Sequence, residues 1–356
     1  MGNAQSSVVA ALSLCSFYLV YSYIYRSHQL LKTNVLSSDR LPSLAYLSVR
    51  YLSRAVTRRA GHLYTPAAEK PVVYTALNCR LDGPVLRRFC SSAGYGWDYP
   101  DCEHRDVPLC FPESLCCRLM LVLLTDGNFQ ISPAGLVRVR QTLRTLQPID
   151  ELKKGPFTLQ VRVQGYEQTD AGVEVDICLA AVSRSGCPVW ESILTLLSTN
   201  RRHKASTCLL KNGDQAEQRD AGRSDELAPE NMKQVELKVS RTSGLQCVWP
   251  LTDYSPHQIL AQLPRFFGFR SQTAPGLWIL SVCLAEIEKH KGVGVITAPV
   301  SITAQFKEPL LLPGKVLITF WEVIKNMDQA SPKELRFHVQ QPGHNFPHML
   351  GRISRS

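Results

Sequence analysis

The sequence lacks the spacings that a metal centre or a secreted disulfide scaffold would show. Its 12 cysteines are scattered, with no CxxC…CxxC or Cys/His pattern of the zinc-binding kind. Cys116 and Cys117 stand side by side inside an apolar run, where cysteine behaves as a small buried hydrophobe. No Asn-x-Ser/Thr sequon occurs. These two absences fit a reducing, cytosol-facing location better than a secretory lumen. A nucleotide fingerprint is also missing, since Gly292 and Gly294 form only a lone Gly-x-Gly. No metal and no cofactor is implied. With 20% charged and 44% apolar residues the chain is not a disordered one.

At 356 residues there is room for two compact domains and an appendage. The net charge of +10 invites a nucleic-acid reading, but its distribution argues against one. Residues 1–65 hold seven basic groups, Arg26, Lys32, Arg40, Arg50, Arg54, Arg58 and Arg59, against Asp39 alone. The excess therefore clusters beside an apolar segment, which suits a membrane surface.

That segment runs without a charge from Val8 to Tyr25 and meets Arg26 at once. As a helix at about 1.5 Å per residue it reaches about 27 Å, enough to enter a hydrocarbon core. It lacks the basic n-region and small-residue cleavage site of a signal peptide, so an uncleaved anchor is expected. The basic residues that follow place their side in the cytosol by the positive-inside rule. The opening Met-Gly-Asn-Ala-Gln-Ser fits a myristoylation pattern with Gly2 as acceptor, which would place the N-terminus in the cytosol as well. A single crossing cannot satisfy both. Either Gly2 carries no lipid, or the segment enters one leaflet without crossing. Residues 43–60 predict a second, amphipathic helix with Arg50, Arg54 and Arg58 at four-residue spacing, lying on anionic lipid or bridging as a solvated linker.

Four regions are expected: an anchor and basic helix over 1–66, a first globular unit over 67–200, a charged linker over 201–235 and a second unit over 236–356. The first unit opens a helix at Pro112 and Glu113 that is apolar on nearly every side and must be buried. Alternating strands follow over 136–140, 157–163, 173–182 and 190–197. The second unit repeats the outline, with a helix from Leu277 to about Lys289 and strands over 295–306, 315–321 and 335–339. A buried helix followed by an antiparallel meander is the hot-dog arrangement, so the expected class is α+β, a double hot-dog with an N-terminal membrane-anchoring helix.

The most informative stretch is DYSPHQILAQLPRFFGFRSQTAPGLWILSVCLAEIEKH, from Asp253 to His290. A polar turn precedes a short apolar segment, a Gly-containing loop and a long apolar helix. Asp253, Pro256, Phe267-Gly268-Phe269, Ala274 and Gly276 fall into register with the signature of the MaoC-like acyl dehydratases and type 2 enoyl-CoA hydratases, which this stretch resembles. Gln258 stands where that family carries its catalytic His, and Pro275 where it has the His of Ala-His-Gly. The first unit has no such motif and resembles the degenerate N-terminal half of double hot-dog relatives.

The resemblance implies an acyl-CoA or related acyl thioester as ligand. Asp253 would hold the attacking water and the N–H of Gly276 would face the thioester oxygen, with Tyr254 and Ala274 beside the substrate. Gln258 can orient water but does not titrate near neutrality, so hydratase catalysis would be weakened. A one-residue gap would instead align His257 with the family His. The alternative function is a noncatalytic acyl-binding or scaffold protein at a membrane. Partners are acyl thioester and membrane lipid, a homodimer is compatible, and nucleic acid is not expected.

Overall fold

The computed structural model describes residues 2–31, 33–65, 72–96, 99–101, 106–199, 232–240, 272–323, 334–344 and 346–355. Asp253, Tyr254, His257 and Gln258 lie outside the described residues, as does most of the expected linker.

The sheet carries the architecture. Eleven strands run in the order β1-β2-β4-β5-β6-β3-β9-β13-β12-β11-β7. The first half supplies β1 (Val35–Ser37), β2 (Val73–Cys79), β3 (Leu136–Thr145), β4 (Phe157–Thr169), β5 (Gly172–Val182) and β6 (Pro188–Thr199). The second supplies β7 (Lys233–Val239), β9 (Val300–Phe306), β11 (Gly314–Val323), β12 (Glu334–Gln340) and β13 (Met349–Arg355). Between them in sequence, β8 (Gln272–Thr273) and β10 (Leu311–Leu312) form a separate two-stranded strap.

The two halves repeat one topology. In the first, β2 precedes the buried helix and the order is β2-β4-β5-β6-β3; in the second, β7 precedes it and the order is β7-β11-β12-β13-β9. The halves join where β3 pairs antiparallel with β9, from Arg140 opposite Gln305 to Thr145 opposite Val300. This is the edge-to-edge pairing expected of a double hot-dog. Two expected limits are corrected. Lys233 to Val235 belong to β7 rather than to a linker, and the strand expected from residue 295 begins at Val300, after a turn of 3-10 helix over Val293–Val295. Strands β2, β7 and β13 had no expected counterpart. Each is seven residues long, and β7 alternates charge with apolar side chains at the sheet edge.

Among the described residues the α-helices are α1 (Gly2–Leu30), α2 (Leu44–Thr57), α3 (Gly83–Ser92), α4 (Phe111–Leu115), α5 (Cys117–Leu124) and α6 (Gly276–Lys291). The single helix expected from Pro112 is two, α4 and α5, parted at Cys116. Every residue of α5 is buried except Arg118, and α6 is buried from Leu277 through Glu288. A sheet wrapped around each helix hides its whole circumference.

The expected membrane-spanning anchor is not found: among the described residues no helix is long and apolar enough to cross a membrane. Leu14, Phe17, Tyr18, Val20, Tyr21, Tyr23, Ile24 and Tyr25 are nevertheless exposed.

Helix α2 forms as expected, but its arginines point inward to protein. Leu47 and Tyr51 are fully buried, and the Tyr51 hydroxyl donates to the Pro133 carbonyl at 2.7 Å. Arg50 donates to the Thr125 carbonyl at 3.0 Å and Arg58 to the carbonyls of Phe129 and Gly127. Thr125 is the C-cap of α5, so these guanidiniums meet the negative end of the first hot-dog helix and the turn after it. Arg54 lies against Gly127, and burial, then Arg58 and Arg50, lower its pKa. The basic row thus serves the fold.

Gly351 on β13 faces Phe337 of β12, and a Cβ there would come within 2.1 Å of Cζ of the buried Phe337 ring. Gly351→Ala is expected to cost about 1–3 kcal/mol, the usual overpacking penalty, read as a lower urea midpoint.

A second expectation concerns pH. Asp106 accepts backbone N–H groups of Val107, Ile149 and Asp150, tying the approach to α4 to the turn before β4. Burial, and then the neighbouring Asp150 carboxyl, push its pKa up to about 6. The folded state therefore holds this proton where the unfolded chain, near 3.9, has released it. Its stabilising contribution is complete below about pH 4 and is lost as pH rises through about 6. Asp106→Asn should gain stability relative to the parent between pH 4 and 7; a difference that stays flat in urea titrations across that range would refute the assignment.

Candidate functional site

The long helix of the second half begins at Gly276, with Pro275 as a non-helical N-cap that offers no side-chain cap. Proline suits this place, because its missing N–H would be an orphan at a helix start. Two further contacts fix the approach. The Ala274 N–H donates to the Leu310 carbonyl at 2.8 Å, and β8 pairs with β10 through Thr273 opposite Leu311. The strap thus delivers the chain to the helix head at a set angle, directly after residues 241–271.

Gly276 is closely packed at its Cα. A Cβ there would lie 3.1 Å from Arg138 Cδ, 3.2 Å from a ring carbon of Phe306 and 3.5 Å from Arg138 Nε. Arg138 comes from β3 of the first half and Phe306 from the end of β9 in the second. The head of α6 is therefore a junction of both halves. The Arg138 guanidinium also lies over the Phe306 ring, 5.7 Å from its centroid, within cation–π range.

Arg138 is buried at 6% exposure and is braced from several sides. Its Nη2 donates to Glu113 Oε1 at 2.7 Å, and its Nη1 to Gln141 Oε1 at 2.7 Å. Gln141 Nε2 donates in turn to Glu113 Oε2 at 2.6 Å and to Ser192 Oγ at 3.0 Å. One carboxylate thus holds both donors, and Glu113, 1% exposed, sits in the first turn of α4, where negative charge is favourable.

A strand of strict alternation could not build this cluster, since residues three apart point to opposite faces. Between Arg138 and Arg140 the β3–β6 register shifts: Arg138 pairs with Leu196, but Arg140 pairs with Thr195. This β-bulge lets Arg138 and Gln141 both face the helices. Bulges re-aim side chains in this way, and they concentrate near functional sites.

Of the residues expected from sequence, Gly276 is the first residue of α6 and Ala274 lies half-buried beside Leu310, two residues before it. Asp253, Tyr254, His257 and Gln258 fall outside the described residues, within the segment joining β7 to α6. Arg138, Gln141 and Ser192 were not expected. Glu113 had been noticed only as a helix opener. A charge opening a mostly apolar run was the available signal; the bulge that turns Arg138 inward has none in the sequence.

Among the described residues no cluster of three or more His, Cys, Asp or Glu side chains is arranged to hold a metal. His348 is buried at 3% exposure, and burial lowers its pKa. It lies in the bend just before β13, its N–H donating to the Val339 carbonyl at 2.8 Å.

No family model and no curated protein matches the sequence. Solved structures do match the fold. A MaoC-like dehydratase from Phytophthora capsici is 15% identical, with 86% of this chain and 98% of that one covered at a TM-score of 0.54. HtdX from Mycobacterium tuberculosis is 16% identical over 79% of this chain and 99% of that one, at a TM-score of 0.53. The full-length peroxisomal multifunctional enzyme type 2 from Drosophila melanogaster is 11% identical over 80% of this chain and 48% of that one, also at 0.53. This chain has the hot-dog fold of the MaoC-like dehydratases.

Proposed function

We propose that this chain, folded as the MaoC-like dehydratases are, binds an acyl thioester such as acyl-CoA and hydrates enoyl or dehydrates 3-hydroxyacyl thioesters with weakened catalysis. The observation that carries the reading is the position of Gly276. It heads a buried helix in this fold, directly after the segment whose Asp253, Pro256 and Gly268 fall in register with the dehydratase signature.

Hydration of a trans-2-enoyl thioester requires water to attack C3 while its proton is taken up and C2 is protonated. Negative charge develops on the thioester oxygen meanwhile, and fixed donors there lower the barrier. The Gly276 N–H, at the positive end of α6, is suited to that oxygen. Asp253 holds and polarises the water, and Tyr254 and Ala274 flank the acyl chain. Gln258 orients the water through its amide but offers no titrating group.

The full-length chain should be stabilised against heat by an enoyl-CoA, by about 2.7 kcal/mol at a hundredfold excess over Kd. It should also convert that ligand slowly to the 3-hydroxyacyl thioester, and Asp253→Asn should abolish conversion. Absence of both stabilisation and conversion would sink the proposal. Stabilisation without conversion would favour the second reading, a noncatalytic acyl-binding protein, which the Gln258 substitution supports.

We further propose that α1 contacts lipid from the cytosolic side through one leaflet; its exposed apolar side chains support the contact itself. Flotation with anionic vesicles would test this: the full chain should float, and a Phe17→Ser/Tyr21→Ser/Ile24→Ser variant should not.

A further inference from the structure

Folded proteins pair nearly all of their buried polar atoms, so a group of unpaired ones calls for a reason. Among the described residues three such atoms lie in one turn: both ring nitrogens of His348, which is 3% exposed, and Oε1 of Gln341, which is 7% exposed. We propose that His348 is an acid-operated latch that positions the strap in front of α6. The neutral ring leaves the strap in place; the protonated ring draws the chain at Glu308 and Pro309 toward itself and shifts the approach to Gly276. The consequence for a ligand rests on the thioester reading, whereas the latch itself needs no ligand.

The backbone connects this ring to the strap by a short path. The His348 N–H donates to the Val339 carbonyl of β12 at 2.8 Å, and the His348 carbonyl accepts from the Lys307 N–H, just past β9, at 2.9 Å. From Lys307 the chain passes through Glu308 and Pro309 to Leu310, whose carbonyl holds the Ala274 N–H at 2.8 Å, and to Leu311, which pairs with Thr273. Gln341 Nε2 donates to the Leu311 carbonyl at 2.9 Å, so the same turn grips the strap at a second point. A movement at Pro309 therefore reaches Ala274 with only Leu310 between them.

Electrostatics give the latch its direction. Among the described residues the titratable groups that bear on the ring are His344, its centroid 5.3 Å away, and Glu308. Burial is the largest influence and lowers the His348 pKa; the Glu308 backbone opposes this, His344 adds to it, and the Glu308 carboxylate and Pro309 backbone oppose it again. The unfolded chain takes this proton near pH 6.5, and the folded chain defers it to lower pH, so stability falls as pH drops below about 6.5. A proton taken from water makes both ring nitrogens donors. A buried cation is costly without acceptors, and the carbonyls of Glu308 and Pro309 can serve as such. Neither is within hydrogen-bond geometry of the neutral ring, so to meet the charged one the link must move.

The test is an NMR titration of the full chain, ¹⁵N-labelled in histidine and alanine, in an Asp106→Asn background that removes another group titrating at about 6. The Ala274 amide shift should follow the His348 ring through one midpoint, below about pH 6.5. His344→Gln should raise that midpoint and keep the two signals coupled, because a neighbouring cation is gone. In His348→Phe the Ala274 signal should hold still over the same range. His348→Gln, which also takes no proton, gives the same reading if the phenyl ring disturbs folding. An Ala274 amide that ignores the His348 titration, or that titrates unchanged without His348, would overturn the latch. Affinity for enoyl-CoA should fall below the midpoint by up to about tenfold per pH unit, and by less in His348→Phe. Equal pH dependence of binding in the two proteins would overturn the role in positioning. A chain that binds enoyl-CoA at no pH, with the titrations still coupled, would overturn the thioester reading and leave the latch standing.

Discussion

Glu113→Ala is expected to destabilise the chain by about 3–5 kcal/mol, among the largest losses open to a single substitution. The carboxylate is 1% exposed and receives Arg138 Nη2 and Gln141 Nε2 at 2.7 and 2.6 Å. Its removal takes the charged partner from a guanidinium that is 6% exposed, pressed between Phe306 and Gly276. The buried guanidinium would lose this charged partner, and the amide of Gln141 would keep Ser192 as an acceptor of its Nε2. A cavity adds to the cost. Glu113→Leu paired with Arg138→Met removes both charges and fills the space, so it should recover most of the loss. Urea unfolding of the three proteins gives the comparison. A loss below about 1 kcal/mol in Glu113→Ala would mean that the pair is not desolvated as the structure has it.

Much of this architecture is legible from residues because burial leaves a pattern. The segments around Leu119 to Leu124 and Leu277 to Ile287 are apolar on all sides, and only a sheet-wrapped helix satisfies that. The long strands β4, β5 and β6 advertise themselves by alternation. The shorter strands do not. β13 carries Gly351, Arg352 and Ser354 among its seven residues, and its pairing with β9 and β12 is a long-range fact that no local window contains.

Charge was harder to place than apolarity. Arg50, Arg54 and Arg58 have the spacing of a lipid-facing row, yet they converge on the end of α5, because carbonyls at a helix C-terminus attract cations as anionic lipid does. Sequence gives the row but not what faces it. Arg138 was hidden for a related reason. On an ideal strand it and Gln141 would face opposite ways, and the bulge that unites them is visible only in the register with β6. Gly276 stood out by its register with the dehydratase signature. Its tight packing against Arg138 and Phe306 is tertiary.

The largest expected gain lies in the segment between β7 and α6. Gln258→His should raise the rate of enoyl-CoA hydration by about 10²–10⁴, the usual worth of a positioned general acid–base group. Gln and His are both planar hydrogen-bonding side chains, so a site that keeps Gln258 against a water can receive an imidazole with modest repacking. What changes is titration. With an ordinary pKa near 6.5 the imidazole can take the water's proton at neutral pH, which an amide cannot. The gain should appear in kcat, with KM nearly constant, because the ground-state contacts to the thioester are untouched. Its pH profile should acquire an ascending limb near the imidazole pKa, which the parent lacks. His257 supplies the discriminating control. If Gln258 occupies the catalytic position, His257→Ala leaves the parent rate within a few-fold; if His257 does, that substitution removes the parent activity and Gln258→His adds nothing. A Gln258→His protein that binds acyl-CoA normally, with His257 dispensable and no gain in rate, would show that this segment does not form the catalytic site.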